Sequence, residues 1–212
     1  MWNKANLFTG WVDVPLSQKG IEEAIEAGKI IAQYDIDVVF TSALIRGIMT
    51  AMIALSQRGD KTPVILHKDG RMESWGQIYS DKLKKNILPV YEDEALNERM
   101  YGRLQGFNKQ ETADKFGAQQ VHVWRRSYAG APPDGESLKM TLERTLPYFE
   151  EAIFPALRAG KTVLVSAHGN SLRAIIKHIE NLSDDQIVVY ELATGVPITY
   201  AFTDGIFNKI VS

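Results

Sequence analysis

The residues with the clearest chemical potential lie in Val163-Leu-Val-Ser-Ala-His-Gly-Asn-Ser-Leu-Arg-Ala174. Five small or apolar residues, 163–167, read as a buried strand. Asn170 or Ser171 reads as the cap of an apolar-periodic helix running to about Asn181. His168 and Gly169 then fall at the strand-to-helix turn. In an open α/β sheet that turn lies at the carboxyl edge of the strand, where ligands bind. Gly169 admits close backbone approach, and the helix N-terminus behind it favours an anion. An imidazole, free backbone N–H groups and a positive dipole at one point suit a phosphoryl group. A core histidine on an ordinary βα turn would read the same way, so this stretch alone leaves both readings open.

Other side chains could share such a site. Arg46 is expected one turn into the helix after an earlier strand, where it can face the same sheet edge; alone it reads as readily as a surface arginine. Arg125 and Arg126 are adjacent on a predicted helix and could line one pocket wall or form a solvated charge pair. Lys109 follows Gly106-Phe-Asn and could direct a flexible cation at phosphate, or decorate a helix start. Glu98 lies in a tight polar stretch between Asn97 and Arg99, with Tyr101 and Gly102 beyond. A carboxylate near a bound anion has its pKa raised, which suits a general acid or base near neutral pH. An ordinary loop salt bridge is the alternative. His67, His122 and His178 have no ligand-like spacing, and no metal is expected.

The elements that must place these residues follow from the hydrophobic pattern. The 212 residues suffice for one α/β domain, so 1–212 is expected to be a single unit. A net charge of −2 lacks the basic excess of a general nucleic-acid binder. Cysteine is absent, which excludes disulfides and thiol nucleophiles and fits a cytoplasmic protein. No apolar run is long enough to cross a membrane, and no signal peptide is visible.

Residues 1–16 read as a loop pinned by Trp2, Phe8 and Trp11. Ser17 caps a helix; 37–41 is a short buried strand; Ser42 starts the next helix; 64–66 is another strand. Residues 67–95 are polar and ambiguous; 73–85 reads as a broken helix whose charges form a solvated face or lid. Residues 96–107 form a polar loop, Asn108 opens a short helix, and a further helix carries Trp124-Arg-Arg126. Residues 137–158 read as a long helix kinked or divided by Pro147 and Pro155. The end reads as a hairpin turning at Asp204-Gly205. This βα alternation predicts a three-layer α/β fold, a mainly parallel sheet flanked by helices. The first helix has no strand before it.

At this point the motifs match a family. Asn3-Lys-Ala-Asn-Leu-Phe-Thr-Gly-Trp-Val-Asp-Val-Pro-Leu-Ser17, Phe40-Thr-Ser-Ala-Leu-Ile-Arg46, Leu96-Asn-Glu-Arg-Met-Tyr-Gly-Arg-Leu-Gln-Gly106, Trp124-Arg-Arg126 and Ser166-Ala-His-Gly-Asn-Ser-Leu-Arg173 resemble the 2,3-bisphosphoglycerate-dependent phosphoglycerate mutases of the histidine phosphatase superfamily. The resemblance runs nearly the whole length. It implies interconversion of 2- and 3-phosphoglycerate in glycolysis and gluconeogenesis through a phosphohistidine enzyme primed by 2,3-bisphosphoglycerate, in a cytoplasmic homodimer or homotetramer. By the same resemblance, Glu98 is the proton donor and acceptor, and His168 stabilises the transferring phosphoryl group. Asn3, Thr9, Gly10, Arg46, Gly169 and Asn170 belong to the phosphate cradle. Arg99, Tyr101, Lys109, Arg125 and Arg126 hold the substrate carboxylate and its distal phosphate.

One departure stands out. The family's nucleophile lies in an Arg-His-Gly-Glu motif ending the first strand, just before the position of Trp2-Asn3, and no Arg-His-Gly occurs here. The expectation is therefore a fold without that strand, its neighbours short of ladder partners, and a chain inactive on its own. The alternative is a non-catalytic, phosphate-binding member of the superfamily. A third possibility, His168 acting as nucleophile in a weak phosphatase, fits poorly with the loss of one imidazole from a coupled pair. The segment around 64–95 looks longer, and that around 132–135 shorter, than in well-known members.

Overall fold

Capping side chains and apolar spacing set the elements. In the computed structural model, which describes residues 2, 5–68, 70 and 72–210, Ser17 Oγ accepts from Gly20 N and opens α1 (Gln18–Ile31). The chain continues through β1 (Val38–Ser42), α2 (Ile45–Leu55), β2 (Thr62–Ile65), α3 (Asp81–Lys84) and β3 (Ile87–Asp93). α4 (Lys109–Phe116), α5 (Ala118–Arg126) and α6 (Leu138–Tyr148) follow. α6 runs through a π-helical turn, Phe149–Ile153, into α7 (Phe154–Arg158). Pro147 lies inside α6 and Pro155 in the first turn of α7, so the two prolines divide the long helix without ending it. β4 (Val163–Ser166), α8 (Gly169–Ile179), α9 (Asp184–Val189), β5 (Thr199–Thr203) and β6 (Ile206–Ile210) complete the chain.

The sheet order is β2-β3-β1-β4, with every pair parallel. β1 is its centre: Val39 pairs with Val90 on one side and Leu164 on the other. Alternation along β1 feeds two cores. Val39 packs with Leu88, Val90, Ile31, Ala51 and Leu55 under α1 and α2. Val38 and Phe40 pack with Leu96, Phe149, Ile153 and Ile175 under α6 and α8. These are the expected three layers.

Four details differ from the sequence reading. The helix after β1 begins at Ile45, not Ser42, and Ser42 is the last residue of the strand. The cap comes from outside the segment: Asp13 Oδ1 accepts from Ile45 N at 2.7 Å. Within 67–95, which reads as polar and ambiguous with no strand expected, β3 lies between β2 and β1, with Leu88 and Val90 buried. Pro89, which cannot donate to a ladder, and the acids at 92–94 disguise that strand in the sequence. β4 is half-buried along its whole length where a buried strand is predicted. It pairs only with β1 among the described residues, and β5–β6 forms a separate antiparallel sheet. Finally, α8 is capped at His168, with Ser171 Oγ accepting from His168 N at 3.2 Å, rather than at Asn170 or Ser171. The hairpin turn is as predicted: Asp204 and Gly205 have φ of 52° and 82°, the left-handed pair of a type I′ turn.

Candidate functional site

Because β1 and β4 are neighbours, their carboxyl ends bring Ser42 and His168 together. Ser42 Oγ lies 2.7 Å from His168 Nε2, and Ser42 is fully buried. Glu98 arrives from the turn after β3. It follows the buried Asn97, whose Oδ1 accepts from Ala43 N at 3.0 Å. Glu98 Oε1 accepts from Arg99 N at 2.7 Å, from Asn170 Nδ2 at 2.6 Å and from Asn170 N at 3.3 Å. A Cβ built on Gly169 would lie 3.8 Å from Glu98 Oε2, an ordinary contact, so the carboxylate lies against the first residue of α8 without requiring a glycine there. The N-terminus of α8, expected to await a phosphoryl group, is thus already occupied by the chain's own carboxylate.

In the unliganded site, without the anion that would raise it, the pKa of Glu98 is lowered. Burial pushes it up, but the nearby His168, the Asn170 and Arg99 N–H donors and the Arg99 charge together hold it below the usual carboxylate range. Burial takes His168 the other way, down to about 4, with Arg46 and Arg144 adding to the fall and Glu98 opposing it. His168 is therefore neutral at pH 7. Its folded-state value lies below the ordinary 6.5, so the unfolded chain takes up the proton first as pH falls. The stability this contributes is complete above about pH 6.5 and is lost between there and about pH 4, by up to about 3 kcal/mol. Denaturant unfolding at several pH values should show that loss, and His168→Asn should flatten it. Equal slopes in both proteins would show that His168 is not buried neutral.

Arg46 folds back on the opening loop: Nη1 donates to Val12 O at 2.9 Å and Nη2 to Gly10 O at 2.6 Å. Burial lowers its pKa, while Glu98 and Asp13 pull it back up. It faces the sheet edge and is no surface arginine. Gly10 has φ +53°, and a Cβ there would lie 2.3 Å from Gln105 Oε1 and 3.0 Å from Tyr101 N. Thr9 belongs to the same turn, its carbonyl accepting from Val12 N at 3.0 Å. Asn3 lies outside the described residues.

Beyond Glu98 stands a wall of cations. Arg99 is 1% exposed. Its Nη2 donates to Tyr101 OH at 2.9 Å and to Arg125 O at 3.0 Å, and its guanidinium lies over the Tyr101 ring. Arg99 Nε is buried with no hydrogen-bond partner, and among the described residues no carboxylate lies within ion-pair distance of the side chain. Arg99, Arg125, Arg126, Asn170 and Arg173 line one narrow cleft. Lys109 is close enough that Arg125 and Arg126 add to the lowering of its pKa by burial. Asn170 joins the two halves, donating to Glu98 and facing the cleft.

Two members of this constellation are not singled out by the sequence reading. Arg173 lines the cleft and donates from Nε to Tyr190 O at 2.8 Å. Its position, three residues after Asn170 and four after Gly169, puts it on the same helix face, which is the available signal. Ser42 is the other; reading it as a helix start conceals that it ends the strand beside His168. The remaining histidines lie elsewhere: His67 is 3.3 Å from Glu92, His178 is 3.1 Å from Glu150, and His122 is exposed. No group of three or more His, Asp or Glu able to hold a metal occurs among the described residues.

An α/β sheet carrying an imidazole, a carboxylate and clustered arginines at its carboxyl edge defines a class of phosphoryl-handling proteins, and the sequence profile of the histidine phosphatase superfamily (branch 1) matches residues 1–79 and 70–205. A 2,3-bisphosphoglycerate-dependent phosphoglycerate mutase of Protochlamydia amoebophila (strain UWE25) is 59% identical over 98% of this chain and 93% of its own. One from Chlamydia caviae is 53% identical over 99% and 92%, and one from Arabidopsis thaliana 54% over 99% and 63%. The chain belongs to the histidine phosphatase superfamily and, within it, to the 2,3-bisphosphoglycerate-dependent phosphoglycerate mutases. Among solved structures, Bacillus stearothermophilus YhfR superposes with a TM-score of 0.76 at 23% identity, covering 99% of this chain and 90% of that one. The alpha-ribazole phosphatase from Shigella flexneri superposes at 0.73 and 18%, covering 100% and 90%. At these identities the likeness is one of fold.

Proposed function

We propose that this site serves the interconversion of 2- and 3-phosphoglycerate through a phosphohistidine enzyme primed by 2,3-bisphosphoglycerate. The observation that carries the reading is Arg99: a buried guanidinium with a spare donor and no carboxylate in ion-pair contact, lining one cleft with Arg125, Arg126 and Arg173, with Lys109 near Arg125 and Arg126. Burying such a charge costs several kcal/mol unless an anion completes it. A substrate with a carboxylate at one end and a phosphate at the other supplies that anion, and forked arginines suit both groups.

The same donors would hold 2,3-bisphosphoglycerate, which supplies the priming phosphoryl group when bound. Glu98 moves the proton of the substrate hydroxyl; a dianion placed beside it opposes the factors that hold its pKa down and brings it toward the working range. His168, neutral and buried, donates to the transferring phosphoryl group, with Ser42 fixing its ring. Arg46, Thr9, Gly10, Gly169 and Asn170, together with Asn3, form the phosphate cradle, and Tyr101 orients Arg99. The chain acts as one domain, in the cytoplasm, as a homodimer or homotetramer. The exposed Trp75, Tyr79 and Leu83 support the oligomer as surface that a partner copy would cover. No helix among the described residues is long and apolar enough to cross a membrane.

A second reading, a non-catalytic phosphate-binding member, would use the same cleft. Calorimetry with 3-phosphoglycerate tests the property both readings share. Saturable heat at sub-millimolar ligand, weaker with glycerate or inorganic phosphate, supports the pocket. No heat at millimolar 3-phosphoglycerate overturns it.

A further inference from the structure

Glu98 is only useful if its carboxylate is held against α8, and the Arg99 N–H that meets it fixes the carboxylate but not the backbone segment that carries it. That segment is held from α6. Arg144 Nη1 donates to Ala95 O at 2.8 Å and to Glu94 O at 3.2 Å, while Nη2 donates to Asn97 O and Glu98 O, both at 3.0 Å. Its other edge meets Glu136, Nε to Oε1 at 2.7 Å and Nη2 to Oε2 at 3.0 Å. Glu136 Oε2 in turn accepts from Met100 N at 2.9 Å. One guanidinium–carboxylate pair therefore grips the backbone on both sides of Glu98. The Glu98 carbonyl also accepts from the Trp11 indole, and Arg144 lies over the Trp11 ring at 5.4 Å. Trp11 sits between Gly10 and Val12, whose carbonyls hold Arg46.

We infer that Arg144 and Glu136 are positioning residues for Glu98. They do not touch the cation cleft; they fix the segment from which the carboxylate reaches Asn170 and tie it to the loop that holds Arg46. The pair is mostly buried, with side chains 20% and 15% exposed, so solvent does little to weaken the fork. A lysine keeps the charge but cannot span carbonyls 94–95 and 97–98 with one ammonium. The role Glu98 is given rests on the proposed function; the geometric claim does not.

The test uses the full chain and reads the Glu98–Asn170 contact directly, by amide NMR of Asn170, assigned through Asn170→Ser. In the unaltered protein the Asn170 side-chain amide should be shifted downfield and exchange slowly. Arg144→Lys should move it toward a free amide and speed its exchange by about tenfold or more, the weight of one lost hydrogen bond to a charged group. Glu136→Gln, which keeps the shape but weakens the fork, should shift it in the same direction and serves if Arg144→Lys does not fold. Thr145→Val removes a different hydrogen bond to the same segment, Thr145 Oγ1 to Ala95 O at 2.9 Å. It should lower the melting temperature and leave Asn170 unmoved. The inference is overturned if Asn170 is unmoved in Arg144→Lys and Glu136→Gln, or if Thr145→Val moves it as much. Calorimetry on Arg144→Lys should find 3-phosphoglycerate affinity within about threefold, since the cleft arginines are intact. Absence of binding in the unaltered chain sinks the proposed function and leaves the NMR result standing.

Discussion

Arg99→Met should weaken 3-phosphoglycerate binding by roughly 10²-fold or more while leaving the melting temperature unchanged or higher. In the unliganded protein Arg99 is 1% exposed and its Nε has no partner. Its hydrogen bonds go to neutral groups, the Tyr101 hydroxyl and the Arg125 carbonyl. Losing those bonds costs about 1 kcal/mol each, whereas a buried charge with no carboxylate in direct contact costs several, and methionine fills much of the same volume. The two effects therefore separate: the fold gains or breaks even, and the anion loses its most desolvated partner. Arg125→Met and Arg126→Met should each cost less, about tenfold, because Arg125 is only half-buried and Arg126 is exposed. Calorimetry and a thermal melt on the same preparation decide the matter. A melting temperature lower by ~8 °C or more with binding intact would make Arg99 a structural residue, and the argument for an anionic ligand would lose its main support.

The fold was readable wherever one side chain or one period settled the matter. Ser17 at the head of α1, the small and apolar residues of β1, and Asp204-Gly205 at the hairpin turn each carry their own reason in the sequence. β3 was hidden because its evidence is not local. Pro89 argues against a central strand, yet Leu88 and Val90 become core only once β2 and β1 flank them. Ser42 was misplaced by the same kind of non-locality. The cap that starts α2 is Asp13, some thirty residues away in the chain, so a nearby serine looked like the obvious cap.

The site divides along a similar line. His168 and Glu98 stand out because an imidazole at a strand-to-helix turn and a carboxylate in a tight polar loop are costly to bury without purpose, whereas the Arg125–Arg126 pair reads equally as a solvated charge pair. What the sequence could not supply was who neutralises whom. It suggests that the α8 N-terminus waits for phosphate, and it gives Glu98 a raised pKa only beside a bound anion. The structure instead places Glu98 on that N-terminus, with its pKa lowered by the donors it finds there. The sequence likewise leaves Arg46, Lys109, Arg125 and Arg126 open between surface and site. The carbonyls that hold Arg46 and the arginines that neighbour Lys109 come from distant stretches of chain and are invisible to local reading.

The second large effect concerns turnover. The 212-residue chain alone should interconvert phosphoglycerates at least ~10³ more slowly than the same chain extended by a strand that sets an Arg-His-Gly histidine beside His168. Transfer through a phosphohistidine needs one imidazole to carry the phosphoryl group and other groups to stabilise it in flight. His168 is the one imidazole at this edge, its Nε2 already engaged by Ser42 at 2.7 Å. His67 and His178 sit by carboxylates elsewhere, and His122 lies on the outer face of α5. Residues that act as a unit in catalysis do not divide their effect, so removing one partner forfeits most of the rate. β4 offers such a strand a place, since its edge away from β1 is unpaired among the described residues and its carboxyl end leads directly to His168. Both chains should bind 3-phosphoglycerate with similar affinity, because the cleft arginines belong to the shared 212 residues. A turnover number for the shorter chain within a few-fold of the longer one would mean that His168 itself carries the phosphoryl group, and His168→Asn would then abolish what activity the shorter chain has.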